Sequence, residues 1–342
     1  MCPEWAEEIG MSSSQDLLVF VYLGKRFPKY AVESIKFALR NSKMPVVLIS
    51  NMTNPPKFDS SVEHYFYANV ESSESAAVNK KFRNGFWIKT TERFFALEEF
   101  MKVRKIEKCF HAELDNAIFD ISQVSLELDK IGDGMFVPRD HQDRAIGSLI
   151  YVNSLKVFSD FCEFARSHNY RLNDMEILAN FLKIYPEKAF PLSSTPVLEI
   201  ELDTKNLKVS IEDRLYEVGL FDAAAIGQWY FGIDPRNTRR KVTNRFNNEK
   251  YSGDLSDFWL TWDKSTSNMS LSSKTQVFTT TSLYNLHIHS KIHKKLLKRN
   301  KFEKIITLTN RGKTVIIKRN AIGLLRYMVE IIRLVLRRVS NK

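Results

Sequence analysis

Two carboxylates, two residues apart, close the apolar run Cys109-Phe110-His111-Ala112-Glu113-Leu114-Asp115-Asn116. If residues 108–112 form a buried strand, the alternation of side chains sends Glu113 and Asp115 to one side of the chain as it emerges. Two such oxygens suit a hard divalent cation, Mn2+ or Mg2+. These ions take one or two protein carboxylates and complete their shell with water or phosphate oxygens. An acidic pair after a strand is also an ordinary solvated turn, so the remaining chain must supply the rest of any such site.

Three further stretches carry polar groups that chemistry could use. In Leu286-His287-Ile288-His289-Ser290-Lys291, the apolar alternation predicts a strand with His287 and His289 on one face. One histidine can complete a metal shell, and Lys291 is a compact positive charge suited to a diphosphate. No cysteine pair or HExxH motif accompanies them, which argues against zinc. Between Phe221 and Asn237, small residues predict a tightly packed helix stopped by Gly232 and Pro235. Asp222, Gln228, Asp234, Arg236 and Asn237 thread through it, a donor and acceptor set fit for sugar hydroxyls. In Asn173-Asp174-Met175-Glu176, either Asn173 or Asp174 serves as the cap of a helix running to Leu182.

The elements that must position these groups read as an alternation of buried strands and helices. Residues 16–23 and 44–50 are apolar runs for strands covered on both faces, and Lys29–Arg40 between them has helical periodicity. Strand, helix, strand in this order makes a right-handed parallel crossover, which binds ligands beyond the carboxyl ends of its strands. No GxGxxG fingerprint follows the first strand, so a mononucleotide lying across the strand ends, near Tyr22, fits better than a dinucleotide. A short strand over 63–70 and a helix over 90–103 follow. Arg93, near that helix's start, is placed to meet a phosphate or sugar. Then come a strand over 147–153, a helix over 155–168, and a hairpin over 197–211.

Composition limits the class. Of 342 residues 44% are hydrophobic and 12% aromatic, which describes a folded globular chain. The net charge of +11 is concentrated: residues 291–342 hold 16 of the 51 Lys and Arg against two acids, Glu303 and Glu330, leaving the rest slightly acidic. That pattern predicts a body at 16–291 and a basic extension at 292–342, after a flexible start at 1–15. An amphipathic helix over 321–339 in the extension would lie on an anionic membrane surface or dock on the protein's own core. Three cysteines, Cys2, Cys109 and Cys162, with no paired spacing, fit a reducing compartment. The absence of a signal core or a spanning apolar run predicts a cytoplasmic protein, peripheral at the inner face of a membrane if the extension binds lipid.

With these residues in view, the stretch from Leu17 to Lys291 resembles the GT-A-fold glycosyltransferases that use nucleotide-diphosphate sugars, particularly bacterial and viral types acting on surface glycans. The resemblance rests on His111-Ala112-Glu113-Leu114-Asp115 in the place of the family's Asp-x-Asp, on Asn173 to Leu178, on Phe221 to Asn237 and on His287, His289 and Lys291. It implies an α/β fold with a mixed, mostly parallel central sheet flanked by helices, and a Mn2+ or Mg2+ cofactor. The implied metal ligands are Glu113, Asp115, His287 and His289. Tyr22, Arg93, Gln228 and Lys291 would contact the donor, and Asp174 and Asp222 would be the catalytic carboxylates. The implied partners are a UDP- or GDP-sugar donor and a glycan or lipid-linked acceptor, with no nucleic acid. Two other readings share parts of this pattern: a non-enzymatic binding protein that engages nucleic acid or an acidic polymer through its basic end, and a metal-dependent nucleotide or phosphoester hydrolase.

Overall fold

The computed structural model describes residues 16–58, 61–69, 85–194, 217–232, 258–273 and 280–291, with positions 215, 255, 293, 297, 302, 303 and 306. The N-terminal stretch 1–15, the 197–211 hairpin, Asp234, Arg236, Asn237 and the 321–339 helix lie outside the described residues.

The chain opens with β1 (Leu17–Tyr22), α1 (Lys29–Asn41), β2 (Val46–Ser50) and β3 (Val62–Phe66). These form the predicted parallel unit: Leu18 pairs with Val46 and Val46 with Val62. After α2 (Phe86–Arg104), strand β4 (Cys109–Ala112) returns to the opposite edge of β1, again parallel, with Val19 beside His111. Next come β5 (Asn116–Ile118), α3 (Val124–Asp129), β6 (Met135–His141), β7 (Arg144–Ala145) and β8 (Leu149–Val152). Helices α4 (Leu155–Ser167) and α5 (Asp174–Ile184) then lead to β9 (Ala189–Leu192). The sheet order is β3-β2-β1-β4-β8-β6-β7, with β9 beside β6. Pairs from β3 to β4 and β6 with β9 are parallel, while β8 is antiparallel to both β4 and β6. The sheet is therefore mixed and mostly parallel.

Its continuous apolar strands follow from burial on both faces. Val19, Val47 and Ile49 pack under α2, α4 and α5, through Phe94, Leu97, Phe100, Phe158, Phe161 and Phe181. Leu18, Phe20 and Leu48 face the other way, against Ala31, Ile35 and Ala38 of α1 and Val124 and Leu128 of α3. The two helix starts that matter to the site are set locally. Gly85, at φ +79°, turns the chain into α2, a conformation that suits glycine. Asn173 caps α5 in a reciprocal box with Glu176, so the cap falls on Asn173 and leaves Asp174 inside the first turn.

A third core joins α6 (Ala225–Phe231) to an antiparallel ribbon, β10 (Phe258–Asp263), β11 (Asn268–Ser273) and β12 (Thr280–Ser282), and to β13 (Asn285–His287), which pairs with β5. Leu297, Phe302 and Ile306, from the start of the basic extension, belong to this core, where Phe302 lies 5.1 Å from the Phe37 ring. Packing between body and extension therefore continues past residue 291. No described helix is long and apolar enough to cross a membrane.

Candidate active site

Strand order places the site. From β1 the chain moves outward through β2 and β3, then returns to β4 on the other side, so β1 and β4 flank a topological switch point. Ligands of open parallel sheets bind in the crevice beyond the carboxyl ends of such strands. Glu113 and Asp115 leave β4 at that end, and Tyr22 ends β1 beside it.

Glu113 and Asp115 do not reach one another through extended alternation. The strand stops at Ala112, and a tight turn closes with the Asn116 amide donating to the Glu113 carbonyl at 3.2 Å. Strand β5 then receives β13, with Asn116 opposite His287, and this pairing brings the histidine to the carboxylates. His287 Nε2 lies 3.0 Å from Asp115 Oδ2 and 3.6 Å from Glu113 Oε2. One ligating atom from each of the three residues falls within 4.8 Å of the others. Lys291 places its ammonium against Asp115 Oδ2 and 5.1 Å from the centre of the Tyr30 ring. Two carboxylates and an imidazole are a donor set that can hold a divalent metal ion.

His289 falls elsewhere. The predicted strand through residue 291 ends at His287: Ile288 still donates its amide to the Asp115 carbonyl at 2.7 Å, in register with the β13–β5 pairing, but His289 donates back to the His287 carbonyl at 2.9 Å. That tight turn breaks the alternation which would have kept both histidines on one face. Among the described residues, His287 alone of the pair joins the gathered ligands. His111 is a packed strand residue: its Nδ1 lies 3.2 Å from the Val19 carbonyl, and burial, with Arg93 nearby, pushes its pKa down to about 3.

Arg93 ties this cluster to Asp174. Its guanidinium donates to Glu113 Oε1 at 2.5 Å and to Asp174 Oδ2 at 2.8 Å, and the side chain is buried. Gly147 makes room for it, since a β-carbon there would stand 2.5 Å from Arg93 Nη2. Burial raises the Glu113 pKa, but the Arg93 charge, helped by His287 and Lys291, outweighs it and holds the carboxyl near 2. Burial dominates at Asp174: helped by Glu113 and opposed by Arg93, it raises the pKa to about 6.

Asp222 organises backbone. Both of its oxygens accept amide N–H groups: Oδ1 from Ile226 at 2.9 Å, and Oδ2 from Gly227 at 2.7 Å and His287 at 2.9 Å. It is fully buried, and burial raises its pKa to about 6 against the pull of His287 and these three amides. The carboxylate thus fastens the start of α6 to β13, with both of its oxygens taken by backbone amides. Ala224, at φ +84°, makes the sharp entry that turns the first amides of α6 toward it. Gly227 follows from the same contact: a β-carbon there would meet the His287 carbonyl oxygen at 2.1 Å.

Tyr22 is half-buried, donates its hydroxyl to the Arg26 carbonyl and meets the Phe27 ring edge-on at 4.9 Å. Gln228 is half-buried on α6 next to Gly227. One organising residue went unnoticed in the sequence. Asn285 accepts the Asp222 amide at 2.9 Å and donates to the Asn116 side chain at 2.8 Å, joining the two turns that carry the site. Its signal was a polar side chain within the run Leu283-Tyr284-Asn285-Leu286, which requires a partner once buried.

No family model matches the chain, and no curated protein matches it. Solved structures do align with it in part. Mouse xyloside xylosyltransferase 1, in its apo form, shares 12% identity over 52% of this chain and 85% of its own, with a TM-score of 0.35. The galactosyltransferase LgtC, solved with donor and acceptor sugar analogues, shares 12% over 58% of this chain and 82% of its own, at 0.34. The glycosyltransferase GlyE of Streptococcus pneumoniae shares 12% over 53% of this chain and 45% of its own, at 0.33. At TM-scores this low the likenesses assign no activity, and the functional reading rests on the side chains of the site.

Proposed function

We propose that this protein is a metal-assisted glycosyltransferase that moves a sugar from a nucleotide-diphosphate donor to a hydroxyl of a glycan or glycolipid acceptor. The observation that carries the reading is the convergence of Glu113, Asp115 and His287, with Lys291 beside them, outside the carboxyl ends of β1 and β4. Those three residues would hold Mn2+ or Mg2+, which when bound supplies positive charge opposite a departing diphosphate.

The chain's own groups divide the remaining work. Lys291 brings a point charge, held against Asp115, to the phosphate side of the site. Arg93, spent on two carboxylates, holds Glu113 ionised and fixes its angle rather than meeting phosphate directly. Asp174, on the far side of Arg93, is the carboxylate assigned to the transferred sugar; a pKa near 6 suits a group that takes a proton close to neutrality. Tyr22 and Gln228 are the residues assigned to the donor's nucleotide and sugar respectively.

The test is a panel of UDP-, GDP- and CMP-sugars with and without Mn2+, read by thermal shift and then by turnover. A ligand at about 100 times its dissociation constant stabilises by about 2.7 kcal/mol, well within reach of the measurement. Lack of any donor response, or transfer that survives Asp115→Ala, rejects the reading. Release of free sugar at the same rate with and without acceptor would identify a hydrolase.

A further inference from the structure

Lys291 reaches the site from a backbone that a residue other than glycine seldom adopts. Its φ is +55°, in the left-handed region. The Lys291 amide donates to the Ile288 carbonyl at 3.0 Å and closes the turn after β13, while Ile288 is fully buried in the third core. A strained residue persists only where its surroundings hold it, and such positions gather at functional sites. The turn here directs one side chain: the Lys291 ammonium stands against Asp115 and 5.1 Å from the centre of the Tyr30 ring.

Tyr30 lies in the first turn of α1, a helix gripped on two sides. Ala31, Ile35 and Ala38 pack on the sheet. Along another flank, the Tyr30 ring meets His293 at 5.2 Å, Phe37 meets Phe302 at 5.1 Å, and Arg40 donates to the Leu297 carbonyl at 3.4 Å. These contacts fasten α1 along the chain that follows Lys291, so the place of Tyr30 is set by the sheet and by that chain together.

His293 is fully buried, and neither of its ring nitrogens has a hydrogen-bond partner among the described residues; the Lys291 carbonyl comes near without reaching hydrogen-bond geometry. Buried polar side chains ordinarily find a partner. Burial, with Lys291 and His287 nearby, keeps this ring uncharged. It therefore meets Tyr30 as a flat neutral surface, the two rings tilted by 32°.

Contacts between a cation and a ring are ordinary in a chain of this size. This one is set apart by the left-handed backbone that delivers the cation and by the unpartnered imidazole packed on the ring. An ammonium on a flexible four-carbon stem is not directed by its backbone alone, and an aromatic face attracts it and narrows where it can lie. We propose that Tyr30, held in place by His293, is a positioning residue that aims the Lys291 ammonium at the diphosphate of the donor. That the anion is a donor diphosphate rests on the proposed transferase activity; the Tyr30–Lys291 contact does not.

The test uses the full chain labelled with carbon-13 lysine, first without added metal. The ε-methylene signal of Lys291, identified by its loss in Lys291→Arg, lies upfield of ordinary lysines because of the Tyr30 ring current. Tyr30→Leu and His293→Ala return it to the ordinary position, whereas Tyr30→Phe and His293→Phe keep it displaced. Binding of inorganic pyrophosphate with Mn2+, read by calorimetry, follows the same pattern: weaker by about fivefold or more in the first pair and recovered in the second. Should Tyr30→Leu unfold, Tyr30→Met, which keeps bulk without an aromatic face, is read in its place. A signal still displaced in Tyr30→Leu, pyrophosphate binding that is equal in all the variants, or no binding of pyrophosphate to the wild type overturns the inference. Equal losses in His293→Phe and His293→Ala would also overturn it, since hydrogen bonding would then replace packing. Pyrophosphate binding that depends on Tyr30, without any response to nucleotide sugars, would remove the transferase reading and leave the positioning role; sugar transfer with pyrophosphate binding indifferent to Tyr30 would do the reverse.

Discussion

Gly227 and His287 are in contact through backbone: a methyl group on the glycine would stand 2.1 Å from the histidine's carbonyl oxygen and 2.8 Å from Asp222 Oδ2. The helix that carries Gly227 and the strand that carries His287 thus set each other's position, and the imidazole is delivered to Glu113 and Asp115 from this fixed support.

Gly227→Ala tests that support. Alanine favours helices by about 1 kcal/mol over glycine, so a loosely packed α6 would gain stability. Here the added methyl meets backbone and must displace it, and overpacking of this kind costs about 1–3 kcal/mol. Urea unfolding is expected to show net destabilisation, together with weaker Mn2+ binding as His287 shifts. An unchanged or higher midpoint would mean that the two elements are not in contact.

Arg93 is the second lever. Replacing it with Met leaves Glu113 and Asp174 buried without their shared cation, a loss of about 3–5 kcal/mol for a broken buried pair. Gly147→Ala should act in the same direction but less, because its methyl pushes only the end of the guanidinium. Denaturant titration of both variants checks the order; a larger loss in the glycine variant would contradict it.

The buried carboxylates give stability a pH signature in protein without added metal. Asp174 and Asp222 have folded pKa values near 6 against an ordinary 3.8, so the folded state holds their protons longer than the unfolded chain. Their contribution is therefore greatest at low pH and is lost as pH rises from about 4 to 6, at up to about 1.4 kcal/mol per pH unit for each group. Glu113, near 2 against 4.5, works oppositely: its stabilisation is complete above 4.5 and is lost as pH falls toward 2. Unfolding free energies measured from pH 3 to 7 should fall across the upper window, and Asp174→Asn should remove its share of that slope. A slope unaltered by the substitution would show that Asp174 is not the group titrating.

Cation binding separates the two histidines. His287→Ala and Asp115→Asn are expected to weaken Mn2+ by about tenfold or more, the scale reached even by losing a group that only supports a ligand. His289→Ala, beyond the turn that ends β13, should stay within about threefold of wild type. Electron paramagnetic resonance titration of free Mn2+ measures all three, and equal losses at both histidines would return His289 to the ligand set.

The sequence by itself determined the elements and much of the list of residues. Apolar runs over 16–23, 44–50 and 108–112 specify strands because both faces must be buried, and the spacing over 29–40 and 90–103 specifies helices that cover them, the second of which the structure begins one turn earlier, at Phe86. It also singled out Glu113, Asp115, His287 and Lys291, since acids at a strand end and a late His/Lys pair stand out locally. Their mutual arrangement was decided only by tertiary structure. The β13–β5 pairing selects His287 over His289, because the chain turns right after it, with the His289 amide donating back to the His287 carbonyl. Likewise Arg93 and Asp174 are 81 residues apart, and Asp222 and His287 are 65 apart. Side-chain type states what a group can bond to, but burial and the closing of long loops decide which partner it finds, and neither has a local signal in the chain.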